Sequence, residues 1–246
     1  MLSSIPMPEI RAILNKNCFN FAGKIISSNP YEIGAISSIV STVPVVFHRF
    51  DTNSAARAVD DRFEYFVSKV MPDFKKDMMY HTMIFVPSYF DYVRVRNWCQ
   101  SSDLDFAEIC EYTKDKKMAM ARDLFYHSEK HFLIYTERAH FFRRFSIKGI
   151  RHLIFYQLPM YPKFFAEICN FMQSTFQNRK GGSDGNMSCT VIYNKYDYQR
   201  LAPAVTTDRA QTMLRSEKTI HMFAPGKSWE IHKSYKSDIN EITWQE

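Results

Sequence analysis

The sequence predicts an α/β protein, a three-layer sandwich in which a mostly parallel, twisted sheet lies between two layers of helices. Two observations predict it: short apolar runs rich in β-branched and aromatic residues recur along the chain, and stretches of helical periodicity separate them. Parallel strands need crossover connections, and right-handed crossovers place helices on both faces of the sheet. With 46% apolar and 15% aromatic residues, the 246-residue chain supplies a sizeable core.

Six apolar runs have the length and composition of buried strands. In chain order they are TMIFVP (82–87), DFAEIC (105–110), HFLIYT (131–136), HLIFYQ (152–157), CTVIY (189–193) and TIHMF (219–223). Between them, three helical stretches each carry one apolar stripe. The stripes are Val59, Phe63, Phe66, Val67 and Val70 before Pro72; Met118, Ala121, Leu124 and Phe125; and Phe164, Phe165, Ile168, Met172 and Phe176.

The patterns divide the chain into three predicted segments. Residues 58–223 form one lobe, residues 1–57 precede it as an N-terminal segment, and residues 224–246 show no sustained period. We predict that this tail is disordered or serves as a partner-binding peptide. The segment QNRKGGSDGNMS, which holds Gly181, Gly182 and Gly185, is predicted to be a surface loop within the lobe.

The charge of the chain favours an acidic partner, with nucleic acid as the leading candidate. The net charge is +6 and the pI is about 9.0. Between Arg138 and Ala166 there is no acidic residue, and the sequence therefore predicts a local cationic patch. Its cations are Arg138, Arg143, Arg144, Lys148, Arg151 and Lys163.

Several kinds of site are not predicted. The five cysteines are widely spaced without a C-x-x-C pair, which favours reduced thiols in an intracellular compartment over zinc or disulfides. No run approaches the roughly 20 apolar residues of a membrane span, and the N-terminus lacks the features of a signal peptide. No carboxylate or cysteine stands at ligand spacing to His127, His131, His140 or His152. We predict no cofactor, no metal ion, no small-molecule substrate and no membrane partner.

One stretch, LIYTERAHFFRRFSIKGIRHLIFYQLP (133–159), resembles motif V of superfamily 2 helicases and the strand that follows it. The matching residues are Thr136, Ala139, Ile147, Gly149, Ile154, Tyr156 and Pro159. The arginine, glycine and aspartate of that motif fall on Phe141, Phe142 and Arg144, and no arginine-rich motif VI follows Pro159. Because helicases use such arginines to stabilise charge on the transferred phosphoryl group, the resemblance implies a lobe without catalysis.

Longer strings resemble the digestive organ expansion factor family, including DDRFEYFVSKVMP, HTMIFVPSYFDYVRVRNW, YTERAHFFRRF with IKGIRH, and YDYQRLAP. The resemblance runs from about Pro8 to Phe223, and residues 224–246 match nothing in the family. It implies the second RecA-like lobe of a degenerate DEAD-box-like protein, with residues 1–57 continuing from a first lobe that this chain lacks. It also implies a hetero-complex with pre-ribosomal RNA and the proteins of the U-three small nucleolar RNA particle in the nucleolar small-subunit processome.

The predicted RNA- or partner-binding residues are Ser88, Thr136, Arg138, Arg143, Arg144, Lys148 and Arg151. Hydroxyl and guanidinium groups bind phosphate without reading sequence, and Ser88 is placed to cap a helix whose amino end suits a phosphate. A structural cap at Ser88 is the alternative. For the basic stretch, the alternative is a strand-end threonine with a loop that docks on another protein through Phe141, Phe142 and Phe145.

Three functions follow from these observations as hypotheses. The first is a non-catalytic pseudohelicase lobe that acts in pre-rRNA processing and 40S ribosome biogenesis through RNA and protein binding. The second is an ATP-dependent RNA helicase missing its first lobe, and the third is a pure protein-interaction scaffold.

Overall fold

The computed structural model describes residues 34–75, 79–173 and 186–224. Several predictions lie outside these residues. They concern the segment 1–33 with Cys18, the loop with Gly181, Gly182 and Gly185, Phe176, and the tail from residue 225 onward.

The sheet has seven strands in the described residues, in the order β3-β4-β2-β5-β6-β1-β7. All adjacent strands are parallel except β1 and β7. The strands are β1 (Val45–Arg49), β2 (Thr82–Val86), β3 (Phe106–Ile109), β4 (Phe132–Thr136), β5 (His152–Phe155), β6 (Ser188–Tyr193) and β7 (Ile220–Phe223). The six predicted strands are all present, and the predicted mostly parallel α/β sheet is confirmed.

Helices cover both faces of this sheet. They are α1 (Ala58–Tyr65), α2 (Met71–Phe74), α3 (Tyr89–Ser101), α4 (Asp115–Tyr126), α5 (Glu137–Arg143), α6 (Pro162–Cys169), α7 (Tyr198–Val205) and α8 (Thr207–Arg215). Short 3₁₀ turns occur at Ala35–Ser38, Asn170–Met172 and Lys195–Asp197. None of the helices in the described part of the chain is long and apolar enough to cross a membrane.

Alternate residues of each central strand enter two separate cores, as strand geometry requires. On β2, Phe85 packs in the core under α4 to α8, whereas Ile84 packs in the core under α1, α2 and α3. Both strand residues are fully buried, which explains why the predicted runs are continuously apolar rather than alternating.

One strand of the sheet was not predicted. β1 pairs in parallel with β6 and antiparallel with β7, so it joins β7 to the rest of the sheet. Its Phe47 is fully buried among Phe165, Tyr193 and Phe223. The boundary predicted at residue 58 therefore excludes one strand of the sheet. The sequence does not indicate this strand because the run VVFHR is short and contains two polar residues.

The apolar stripe predicted before Pro72 is wrong at its first position. Val59 is 52% exposed, whereas Arg62 is buried and points at the sheet. A π-helical turn at Phe66–Val70 follows α1 and shifts the helical phase, so that the buried residues no longer keep one simple period. The chain then continues through Pro72, which occupies the first turn of α2, where proline is tolerated.

Candidate nucleic-acid interface

Two of the predicted contact residues lie where neighbouring strands end. Val86 of β2 pairs with Thr136 of β4, and Ser88 follows two residues later. Because both strands run in the same direction, Ser88 and Thr136 share the carboxyl edge of the sheet. The helices α3 and α5 begin directly after them.

The stretch after Thr136, predicted as a loop, begins with helix α5. Thr136 is its N-cap: the hydroxyl oxygen accepts a hydrogen bond from Ala139 N (3.2 Å) and donates to Glu111 Oε2 (3.1 Å). The helix ends at Arg144, which has a left-handed backbone (φ 48°) and donates its N–H to His140 O. Thr136 is only 1% exposed, so its hydroxyl orients α5 instead of facing solvent.

Ser88 occupies the N-cap position of α3 with an extended backbone, as predicted. Its side chain makes no capping bond to the helix backbone and instead hydrogen-bonds Asp91. Burial raises the pKa of Asp91, whereas nearby Arg62, Arg94 and Arg200 and, to a smaller extent, this hydrogen bond act in the opposite direction. The predicted position is thus confirmed, whereas the predicted structural cap is not formed by the hydroxyl.

The arginines of the acid-free stretch meet carboxylates from other elements. Arg138 Nε lies 3.7 Å from Glu111 Oε1, and Arg143 Nη2 lies 2.8 Å from Asp115 Oδ1. Arg144 Nη1 lies 2.6 Å from Glu167 Oε2. Folding therefore partly neutralises the predicted cationic patch, because it brings one carboxylate to each of these three arginines. All three guanidinium groups nevertheless stay about half exposed, with side-chain exposures of 45–59%.

Exposed aromatic rings lie beside these arginines. Phe141 is 45% and Phe142 is 60% exposed, and the Phe141 ring stacks on Tyr161 with 5.3 Å between centroids. The Arg138 guanidinium lies over the Phe142 ring at 5.8 Å. Phe145, in contrast, packs partly buried against the core under Arg122. We call Arg138, Phe141, Phe142, Arg143 and Arg144 the α5 surface.

A chain of hydrogen bonds links the α5 surface to the core. Glu167 Oε2 contacts both Arg144 and His140 Nε2 (3.1 Å), and the other ring nitrogen of His140 lies 3.1 Å from Tyr135 Oη. Burial lowers the pKa of His140, the Glu167 carboxylate acts in the opposite direction, and the Nε2–H of the ring donates to that carboxylate. These contacts fix the left-handed turn at Arg144.

Sequence reasoning missed the role of Glu137. Its two carboxylate oxygens accept hydrogen bonds from Met160 N and Tyr161 N, each at 3.0 Å, just before α6 begins. Burial raises the pKa of Glu137, and the two amide bonds act in the opposite direction. Glu137 therefore ties the segment after β5 to α5 and is committed to structure.

A buried ion pair at the same edge was also missed. Arg62 Nη2 lies 2.7 Å from Asp197 Oδ2, and both side chains are 5% exposed. Asp197 also accepts from Gln157 Nε2 (2.8 Å) and Asn194 N (2.9 Å), so the pair connects α1 to the ends of β5 and β6. The spacing of Asn194 and Asp197 after a strand is that of a capping box, a signal readable in the sequence.

The last two predicted residues do not join this site. Lys148 is exposed in the irregular segment that returns across the sheet to β5. Arg151 lies at the opposite, amino edge, where its backbone N–H donates to His81 O beside the start of β2. The structure thus brings together Ser88, Thr136, Arg138, Arg143 and Arg144, but not Lys148 or Arg151.

The amino edge holds two buried histidines, His81 and His152. Burial lowers the pKa of both, for His152 to about 4, and nearby Arg151 and His131 lower both further. His152 Nδ1 bonds Ser188 Oγ at 2.9 Å. In the unfolded chain His152 binds a proton near pH 6.5, whereas in the folded chain its pKa is about 4. The contribution of His152 to the free energy of unfolding is therefore complete above pH 6.5 and is lost as the pH falls toward 4.

We therefore expect the free energy of unfolding to fall by about 2 kcal/mol from His152 alone between pH 7.5 and pH 5. Urea unfolding at the two pH values measures it. His152→Asn should flatten the pH dependence, although it also lowers stability at pH 7.5. The exposed His127→Asn serves as the control and should keep the drop. An equal pH dependence in wild type and His152→Asn would contradict the assignment.

Comparison with known protein families identifies the family of this chain. Residues 35–223 match the family model described as Utp25, C-terminal domain. The chain belongs to this family. The recognition made from the motifs is confirmed, and the match begins before β1, in agreement with the position of that strand.

Similar curated proteins are consistent with this family assignment. The U3 small nucleolar RNA-associated protein 25 homolog of Xenopus tropicalis is 44% identical over 228 residues, which cover 93% of this chain and 29% of that protein. The Homo sapiens homolog is 45% identical, covering 89% and 28%, and Protein NUCLEOLAR FACTOR 1 of Arabidopsis thaliana is 33% identical, covering 91% and 28%. The chain thus spans less than a third of the length of these relatives.

Two solved DEAD-box structures are similar in fold. The Methanococcus jannaschii DEAD box protein has 16% identity and a TM-score of 0.49, covering 71% of this chain and 41% of that one. The E. coli protein SrmB has 14% identity and a TM-score of 0.46, covering 64% and 81%.

Proposed function

We propose that this Utp25-family chain is a non-catalytic lobe of the nucleolar small-subunit processome, acting in pre-rRNA processing and 40S ribosome biogenesis. Its contacts are pre-ribosomal RNA and proteins of the U3 small nucleolar RNA particle. The names of its relatives, which refer to association with U3 small nucleolar RNA and to the nucleolus, support this setting.

The observation that carries the RNA half is the α5 surface. Its arginines are half exposed, and surface ion pairs of this kind contribute only about 0–1 kcal/mol, so a phosphate can take the place of Asp115 or Glu167 at little cost. Exposed Phe141 and Phe142 offer faces on which unpaired bases stack. Phosphate and stacking contacts together suit single-stranded RNA without sequence readout.

The positions that carry charge in related helicases support a lobe without turnover. Phe141 stands where motif V has arginine, and the Glu137 carboxylate already accepts two backbone amides. Phosphoryl transfer depends on positioned cations at the γ-phosphate, and this chain has neither the motif V arginine nor an arginine-rich motif VI after Pro159. RNA-stimulated ATP hydrolysis by the purified chain would contradict this half of the proposal and favour the helicase alternative.

We expect Arg143→Gln combined with Arg144→Gln to weaken binding of a 20-nucleotide mixed-sequence single-stranded RNA about tenfold, that is by about 1.4 kcal/mol. Loss of two phosphate contacts should also reduce the salt slope of log K by about 1.4. Fluorescence anisotropy at several salt concentrations measures both quantities. Thermal unfolding of the variant checks that the fold is intact.

The matched control is Arg57→Gln combined with Arg94→Gln. These arginines also form ion pairs, with Asp61 and Asp60, but Arg57 caps α1 and Arg94 lies on α3, outside the α5 surface. The control has the same net charge and should change affinity less than twofold. Equal weakening by both pairs would show that only overall charge matters. Unchanged binding in the first pair would favour a pure protein scaffold.

A further inference from the structure

The outer edge of the sheet carries a groove that the proposed function does not use. β3 is a terminal strand whose only partner among the described residues is β4. The helices α3 and α4 rise on either side of it and enclose about 790 Å³, a volume within the range of ligand-binding clefts. Tyr89, Tyr112 and Met120 line the groove with exposed apolar surface.

The backbone of β3 offers hydrogen-bonding groups to this groove. Phe132 N donates to Asp105 O, and in a parallel pair alternate residues bond the same neighbour. Asp105, Ala107 and Ile109 therefore face β4, whereas the N–H and C=O groups of Phe106 and Glu108 point outward. An exposed strand edge of this kind is a template for an added strand.

The charge of the groove is positive. Four cations line it, Arg96, Lys114, Lys117 and Lys130, against one carboxylate, Glu108. Arg96 and Tyr92 both hold that carboxylate, at 3.0 Å and 2.8 Å, and Lys130 pairs with Asp105. Lys114 and Lys117, at the start of α4, form no ion pair with any carboxylate in the described part of the chain and are exposed.

We propose that this groove binds an extended acidic peptide segment of another protein, which adds a strand to the outer edge of β3. Main-chain hydrogen bonds to Phe106 and Glu108 supply affinity, as in other cases of strand addition. The apolar side chains of the peptide, which share one face of the added strand, reach Tyr89 on the α3 wall, and its carboxylates, on the other face, reach Lys114 and Lys117 on the α4 wall. Charge complementarity selects an acidic peptide over a basic one.

The test uses a fluorescein-labelled peptide of eight residues, alternating Asp or Glu with Val or Phe, and measures binding to the full chain by anisotropy. We expect Lys114→Glu combined with Lys117→Glu to weaken binding at least tenfold. The control, Lys69→Glu combined with Lys195→Glu, makes the same charge change on exposed lysines outside the groove and should change binding less than twofold. An acidic side chain near the amino end of α4 favours the helix, so the variant should stay folded.

Three further peptides separate strand addition from simple charge attraction. N-methylation of alternate backbone amides should abolish binding in one of the two possible registers of methylation, and replacement of Asp and Glu by Lys should abolish it as well. Equal binding of both N-methylated peptides and the parent, or equal effects of the two lysine pairs, would overturn the proposal. Displacement of the peptide by single-stranded RNA at equal charge would assign the groove to RNA instead. Since the peptide assay contains no α5 variant, its failure leaves the proposed function standing.

Discussion

Replacing Asp197 by alanine is expected to lower the free energy of unfolding by about 3–5 kcal/mol, because Arg62 then keeps its charge in a buried place without a counter-ion. Asp197 is also the acceptor for Gln157 Nε2 and Asn194 N, so one partly buried and one buried donor lose their partner. Nearby Arg200, whose pKa burial lowers, loses the neighbouring carboxylate that counteracts this shift. Urea unfolding at pH 7.5 measures the change.

The control for Asp197→Ala is Asp60→Ala. Asp60 pairs with Arg94 at the same 2.7 Å, but these side chains are 59% and 37% exposed, so the expected loss is within about 1 kcal/mol. Combining Asp197→Ala with Arg62→Met removes the stranded charge and should recover part of the stability. If Asp197→Ala destabilised the protein no more than Asp60→Ala, the Arg62–Asp197 ion pair would not be buried as it is in the structure.

Replacing Phe47 by alanine is expected to cost about 3–5 kcal/mol of stability, the usual range for a large aromatic residue in a packed core. Phe47 is fully buried and its ring contacts Phe165, Tyr193 and Phe223 at centroid distances of 5.3–6.1 Å. Its loss leaves a cavity between β1, β7 and α6 that backbone movement fills only in part. Chemical denaturation with circular dichroism measures the loss.

The exposed Phe90, at 85%, gives the matched control, and Phe90→Ala should change stability by less than about 0.5 kcal/mol.

The Phe47 result also tests the domain boundary. A chain that starts at residue 58 lacks β1 and should not form the β7 pairing, since β1 lies between β6 and β7. Cooperative folding of such a truncated chain with wild-type stability would contradict this role of β1.

The α5 surface shows how far sequence reasoning reaches. A threonine at a strand end, followed directly by Glu137 and then by Ala139, is typical of a helix start, whereas the resemblance to motif V indicates a loop there. The position of Thr136 at the strand end was predicted correctly. The protein-docking alternative expected Phe141, Phe142 and Phe145 to be exposed or partly exposed; Phe141 and Phe142 are exposed, and Phe145 is partly buried. Whether the surface binds RNA stays a prediction.

The local charge of the α5 surface could not be predicted from the sequence. The carboxylates that meet Arg138, Arg143 and Arg144 come from Glu111, Asp115 and Glu167, between 23 and 28 residues away along the chain. Glu111 follows β3 and Asp115 begins α4, so their approach to α5 depends on β3 lying next to β4. An acid-free stretch in a sequence therefore says little about local charge until the strand order is known.

The sequence by itself determined the α/β class, six of the seven strands that the described residues form, and the family, because these depend on local periodicity, burial on both strand faces and motif spacing. Only the tertiary structure decided the place of β1, the inward turn of Arg62 toward Asp197 and the carboxylates around the α5 surface. It also decided that Arg151 lies at the opposite edge from Arg144. The physical reason is the same in each case: parallel strands bring together residues that are distant in the chain, and which ones meet depends on strand order and register.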